Sequence, residues 1–150
     1  MRRILENWAA AAGLAEEGSR DGALEILREL ERLEQSPKAK IIVVADDDAL
    51  TTDHVTYLAG LAQRLGCEIL YLSSNRRFKA DHELPERIEA LRSRLSRGIR
   101  LVYIPASGCL ERMLHTAQTR VHRIQFAVLV GQTNKRLQKH LNVPLFSVEA

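Results

Sequence analysis

The fold is decided by the stretch KIIVVADDD, which occupies residues 40–48. Five apolar residues follow Lys40, and three aspartates come directly after them. An uninterrupted run of Ile and Val indicates a strand that is buried on both faces, and such strands belong to parallel sheets covered by helices. Ligands of these sheets gather at the carboxyl ends of the strands, where the chain order reverses. We therefore expect the three aspartates to lie where a binding site would form.

Strand and helix patterns alternate from this stretch to the end of the chain. Strands are predicted at residues 40–45, 68–72, 99–104, 125–130 and 144–148, and helices at 51–65, 85–97, 108–122 and 134–141. This alternation predicts an α/β domain with right-handed crossovers. The expected architecture is a five-stranded parallel sheet in a Rossmann-like three-layer sandwich.

A helical hairpin is predicted ahead of the sheet, over residues 1–37. Its two helices meet at Gly18, and Pro37 ends the second because a residue before proline leaves the helical region. With Trp8 and Ala23 the hairpin resembles a single tetratricopeptide unit. One such unit cannot bury its own face. We expect it to pack on the α/β domain of residues 38–150 or on a symmetry mate, with a docking site for another protein as the alternative.

Composition excludes several classes of protein. The chain is 45% hydrophobic and 27% charged with a formal net charge of +3, which is ordinary for a globular protein. Bases alternate with acids along the helices and aromatic residues make up only 5%, so we predict no nucleic-acid partner. No apolar window approaches the ~20 residues of a membrane span. The two cysteines, Cys67 and Cys109, form no disulfide framework, which predicts a cytoplasmic protein.

Two motifs carry a family resemblance. The stretch LAQRLGCEIL at residues 61–70 leads from helix to strand, and VLVG at 128–131 is followed by His140 and VPLFSV at 143–148. On these motifs, residues 38–149 resemble the universal stress protein family. The resemblance implies a five-stranded α/β sandwich, and it implies a homodimer formed by pairing of last strands, here through Pro144, Leu145, Phe146 and Val148.

A response-regulator receiver domain also begins with a strand that ends in aspartates. Its chemistry needs a phospho-accepting aspartate at the end of the third strand and a lysine at the end of the fifth. The third strand here leads into Pro105-Ala106-Ser107, and the fifth ends in Val148-Glu149. The sequence therefore predicts no active receiver.

The chain departs from the ATP-binding members of the universal stress protein family after the fourth strand. Those members carry Gly-x-x-Gly and a later Gly-Ser or Gly-Thr, whose backbone amides wrap the phosphates. Here Gly131 is followed by QTNKR, and no glycine comes later. Asp47 and Asp48 also replace the family's Gly-Ser after the first strand, and their charge would repel a triphosphate. We therefore predict no cofactor, with ATP and AMP disfavoured.

Four residues are candidates for ligand binding: Asp46, Asp47, Ser73 and Gly131. The resemblance places Asp46 near the adenine and ribose of a nucleotide. The aspartates of residues 46–48 are also hard oxygen ligands suited to a divalent cation, or one of them caps the next helix, with Thr51 as the other cap candidate. Neither a catalytic constellation nor a metal site is predicted.

These observations predict a non-enzymatic, universal-stress-protein-like domain. It is expected to act through a partner or through self-association in a stress or regulatory role. The alternative is a protein that binds a nucleotide or small ligand in the carboxyl-end crevice around Asp46 and Gly131.

Overall fold

The computed structural model describes residues 28, 30–45, 50–73, 86–105, 110–131, 137 and 139–148. After a helical segment at residues 30–35 the elements are β1 (Lys40–Ala45), α1 (Thr52–Leu65), β2 (Glu68–Ser73), α2 (Glu86–Arg94), β3 (Leu101–Pro105), α3 (Leu110–Arg120), β4 (Ile124–Val130) and β5 (Leu145–Val148). All five predicted strands are present, with bounds that differ by at most two residues from those expected.

The five strands form one parallel sheet in the order β3-β2-β1-β4-β5. The predicted five-stranded parallel sheet is confirmed, and β1 is its central strand. This order equals the first five strands of the dinucleotide-binding fold, which is ordered 3-2-1-4-5-6. Receiver domains instead have the order 2-1-3-4-5. The topology therefore excludes the receiver fold.

Helices cover both faces of the sheet. One face packs against α1 and α2 through Val55, Leu58 and Leu91, in a core that includes Ile41 and Val43. The other face packs against α3 through Leu114 and Ala117, in a core that includes Ile42 and Val44. Neighbouring residues of β1 thus belong to opposite cores, as alternation along a strand requires. The result is the predicted three-layer sandwich.

Most of the predicted N-terminal hairpin lies outside the described residues. In its described part, Leu30 and Leu33 are buried in the same core as α3. The end of the second hairpin helix is therefore part of the packing of the sheet. The division of the chain into residues 1–37 and 38–150 stays a prediction.

Helix α1 has the ends that the sequence indicates. Thr51 is its N-cap. Gly66 ends it with φ 64°, a left-handed conformation in which its N–H reaches back to the carbonyls of Ala62 and Gln63.

Within the described part of the chain, no helix is long and apolar enough to cross a membrane.

Candidate functional site

The five strands end at one level, which defines the carboxyl edge of the sheet. Ala45 of β1 pairs with Ser73 of β2 on one side and with Val130 of β4 on the other. Ser73 pairs in turn with Pro105, and Val130 with Val148. The order of the strands reverses between β1 and β4, because the chain runs outward from β1 in both directions. Binding sites of open α/β sheets form at this switch point.

Two of the four predicted ligand-binding residues lie at the carboxyl edge in the structure. Ser73 is fully buried at the end of β2, and Gly131 follows β4 with φ 88°. Adjacent strands are about 5 Å apart, so the ends of β2 and β4 lie roughly 10 Å from each other across β1. The backbone N–H of Gly131 donates a hydrogen bond of 3.0 Å to the carbonyl of Val148. Asp46 and Asp47 lie outside the described residues.

The first turn of α1, which begins at this edge, is closed by its own side chains. The Oγ1 of Thr51 accepts a hydrogen bond of 3.2 Å from the N–H of His54. In return, the Nδ1 of His54 accepts one of 3.0 Å from the N–H of Thr51. This is a capping box, with histidine in the place usually taken by Glu or Gln. Thr51 rather than an aspartate is thus the cap, and two amides that a phosphate would need are already satisfied.

The segment between β1 and α1 is also fastened from α2. The guanidinium of Arg87 donates a hydrogen bond to the carbonyl of Leu50. The Leu50 side chain is fully buried in the core beneath α1. One level below Ser73, the rings of Tyr71 and Tyr103 stack with centroids 5.5 Å apart and planes at 27°. The described start of α1 is therefore held in place by side chains of the protein, and the loops that follow β1, β2, β3 and β4 lie largely outside the described residues.

The opposite, amino edge of the sheet contains a buried pair of opposite charges. Lys40 and Glu68 are register partners at the starts of β1 and β2, with exposed fractions of 0% and 1%. The Nζ of Lys40 donates hydrogen bonds to the carbonyls of Lys38, at 2.7 Å, and Ser36, at 3.0 Å. Burial lowers the pKa of Lys40, the Glu68 carboxylate opposes that change, and the charge of Arg123 adds to it.

This pair was missed from the sequence. The available signal was that two neighbouring strands begin with residues of opposite charge. Charged residues at strand starts are ordinary on a protein surface, so the signal did not indicate burial.

The last strand forms the third feature of interest. Among the residues that the structure describes, β5 pairs with β4 alone, so its other side is an open edge of the described sheet. The carbonyls of Pro144 and Val148 accept hydrogen bonds from β4, at 2.9 and 3.0 Å. Because backbone groups alternate in direction along a strand, the N–H and carbonyl groups of Leu145 and Ser147 point away from β4.

An apolar patch lies beside this open edge. Phe146 is 52% exposed, and its ring meets Phe126 edge to face with centroids 5.2 Å apart. Val148 and Phe126 pack against the core beneath α1. Leu145 packs against the opposite core. The two sides of β5 are thus anchored in the fold, while the Phe146 ring faces solvent.

Among the residues that the structure describes, no group of three or more His, Cys, Asp or Glu side chains is arranged to hold a metal ion. Comparison of the chain with protein-family models, with curated proteins and with solved structures found no match.

Proposed function

We propose that this chain is a non-enzymatic binding domain, similar to universal stress proteins, that acts through self-association and partner contacts in a stress or regulatory role. One observation carries the proposal. The first turn of α1 at the carboxyl edge is self-capped, whereas in the described sheet β5 has an open edge beside the exposed ring of Phe146. An open edge strand pairs readily with another strand unless something blocks it.

The proposed assembly is a homodimer in which the last strands of two chains pair. Leu145 and Ser147 would supply the backbone groups, and Phe146 would be covered by the partner. A cytoplasmic setting is part of the proposal. The buried thiol of Cys67, whose pKa is raised by burial, is suited to remain a thiol there.

Substitution of Ser147 tests this assembly. In Ser147→Pro the ring removes an outward N–H and leaves the hydrogen bonds to β4 intact, a position that tolerates proline. Sedimentation over roughly a hundredfold range of protein concentration should show a dimer for the wild type and a monomer for the proline variant. Ser147→Ala is the matched control and should remain dimeric. A wild-type protein that stays monomeric at every concentration would rule out the dimer.

A second function has its own supporting observation. Gly131 is in a left-handed conformation at the switch point, and a residue without a Cβ permits the close approach of a ligand to the backbone. A nucleotide or another small ligand bound there, with Asp46, is the alternative. Thermal unfolding with ATP or AMP and Mg²⁺ tests it, because saturation at 100 times Kd adds about 2.7 kcal/mol of stability. An unchanged unfolding temperature at millimolar nucleotide removes this candidate.

A further inference from the structure

Acids and bases that are mixed along the sequence lie mostly at different edges of the sheet, although Arg87 and Arg112 are exposed bases in first turns. The helices run antiparallel to the strands, so each begins at the carboxyl edge and ends at the amino edge. Acids occupy the first turns, at Asp53, Glu86, Glu89 and Glu111. Bases occupy the last turns of α1 and α2, at Arg64, Arg92 and Arg94. This placement of acids and bases within the helices agrees with the helix dipole, which favours acids at helix starts and bases at helix ends.

The loops of the amino edge add positive charge that the dipole does not explain. They comprise residues 36–39, 95–100, 121–123 and 139–144. Their exposed bases are Lys38, Arg97, Arg100, Arg123 and Lys139, with exposed histidines at 122 and 140. These loops contain no acid. In the strand and helix that adjoin these loops, the acids are Glu68, which is buried, and Glu34, which is half-buried.

Hydrogen bonds join three of these loops into one surface. The Nζ of Lys38 donates to the carbonyl of Gly98, and the guanidinium of Arg123 donates to the carbonyl of Pro37 at 2.6 Å. The backbone carbonyl of Arg123 accepts from the N–H of Lys40 at 3.0 Å. The acceptors are carbonyls rather than carboxylates. The loops are therefore fixed in place without neutralising the charge of Lys38 and Arg123.

Arg123 adopts a backbone conformation that is unusual for its residue type. Its φ of 65° is the one positive φ among the described residues other than glycine. Such a conformation persists for a bulky side chain only where the surroundings hold it. Here its carbonyl is held by the N–H of Lys40 at the start of β1, and its guanidinium by the loop of residues 36–39.

From this arrangement we infer that the amino edge of the sheet binds the sugar-phosphate backbone of a nucleic-acid duplex, independently of sequence. Binding of this kind rests on basic side chains that replace the counterions of the phosphates. The edge carries five exposed arginines, at residues 64, 94, 97, 100 and 123. The planar guanidinium of arginine matches phosphate oxygens in a two-pronged hydrogen bond.

Two other acidic partners fit this edge less well. A membrane surface is usually held by apolar anchors beside the bases, and a protein interface has an apolar or aromatic centre. The exposed large hydrophobic residues of the described chain are Tyr57, Leu65 and Phe146. None lies on the amino-edge loops, and Leu65, at the end of α1 beside Arg64, is a single apolar residue rather than an apolar surface. The lack of exposed aromatic residues on these loops also favours a duplex over a single strand, whose bases stack on aromatic rings.

The prediction of no nucleic-acid partner rested on the mixing of bases and acids along the chain and on an aromatic content of only 5%. The low aromatic content argues against a single strand rather than against a duplex. The other ground was the mixing of charges. The fold removes that ground, because it collects bases from four separate segments on one edge. A concentrated basic surface is the footprint expected of a nucleic-acid-binding protein.

The test uses the full chain and a labelled duplex of roughly 20 base pairs, with binding followed by fluorescence anisotropy at about 50 to 200 mM salt. The test variant is Arg97→Glu/Arg100→Glu, since both side chains are exposed on the edge. The control is Arg112→Glu, an equally exposed base near the start of α3 at the opposite edge. A third variant, Arg123→Gly, removes a charge while suiting the positive φ.

We expect the wild type to bind with a Kd of about 1 to 100 μM that weakens steeply as salt is raised. The double variant should bind about tenfold or more weakly, with the slope of log K against log salt reduced by about 2. Arg123→Gly should weaken binding severalfold, and Arg112→Glu by less than about twofold.

Three results would overturn the inference. One is no binding by the wild type at the lowest salt, and another is equal weakening by Arg112→Glu, which marks diffuse charge rather than a site. The third is tighter binding to phosphatidylserine vesicles or to polyglutamate than to the duplex, which would assign the edge to a membrane or to an acidic protein.

Discussion

The two edges of the sheet are built by the same five strands and differ in almost every other respect. At the carboxyl edge the described strand ends are flush, and the helix starts carry acids. At the amino edge exposed bases surround one buried pair of opposite charges. In the described part of the chain, the helix start at the usual ligand-binding edge of an α/β fold is self-capped, while exposed bases have collected at the other edge.

The largest effect should come from breaking the buried pair. Glu68→Leu leaves the charge of Lys40 buried without its counterpart, and we expect a loss of about 3 kcal/mol in the free energy of unfolding. Urea unfolding measures it. The double variant Lys40→Met/Glu68→Leu should regain most of this stability, because an apolar pair of similar volume avoids the cost of burying charges.

The single and double variants together also show whether Lys40 and Glu68 interact at all. If Glu68→Leu is no less stable than the wild type, or if the double variant is as unstable as the single one, the two residues do not act as a pair.

An intermediate effect is expected at the carboxyl edge, in the capping box. His54→Ala leaves the N–H of Thr51 without its acceptor and should cost about 1 kcal/mol. His54→Gln is the matched control, since glutamine is a usual residue at this position of the box and should recover most of the loss. An equal loss in both variants would assign the role of His54 to packing instead.

The smallest expected effect is a gradual change of the free energy of unfolding with pH. Burial lowers the pKa of Lys40 below its usual value of 10.5. Between the lowered value and 10.5 the unfolded chain binds more protons than the folded one, so the free energy of unfolding rises with pH in this window. At lower pH the cost of burying the charge is fully present.

Comparison with the variant that lacks both charges isolates the contribution of Lys40 to the pH dependence of the free energy of unfolding. The wild type should gain stability relative to Lys40→Met/Glu68→Leu as pH rises toward 10.5, in parallel urea titrations. A difference between the two proteins that stays constant or shrinks with pH would show that the charge of Lys40 is not penalised by the fold.

Much of the fold was predictable because local signals agreed with the packing. The apolar run of residues 41–45 indicated a strand buried on both faces, and it is the central strand. Gly66 ended α1 as expected, because its left-handed conformation suits glycine. The helix of residues 85–97 was predicted too long, since α2 ends at Arg94. Glycine at 98 marks the later turn rather than the helix end.

The candidate site was less predictable, for a physical reason. Ser73 and Gly131 were expected at the carboxyl edge, and both lie there, because position along a parallel strand decides which edge a residue joins. Burial of Lys40 and Glu68 depends on the loops that cover them, which no local pattern reveals. The basic edge is likewise a property of topology, since its bases come from segments far apart in sequence.

Backbone amide chemical shifts of the full chain, recorded with the duplex and separately with ATP and Mg²⁺, test the contrast between the edges most directly. Addition of the duplex should move the signals of residues 97–100 and 121–123, while millimolar ATP leaves those of Ser73 and Gly131 in place. Movement of Ser73 and Gly131 by ATP, together with an unchanged amino edge in the presence of the duplex, would contradict the account.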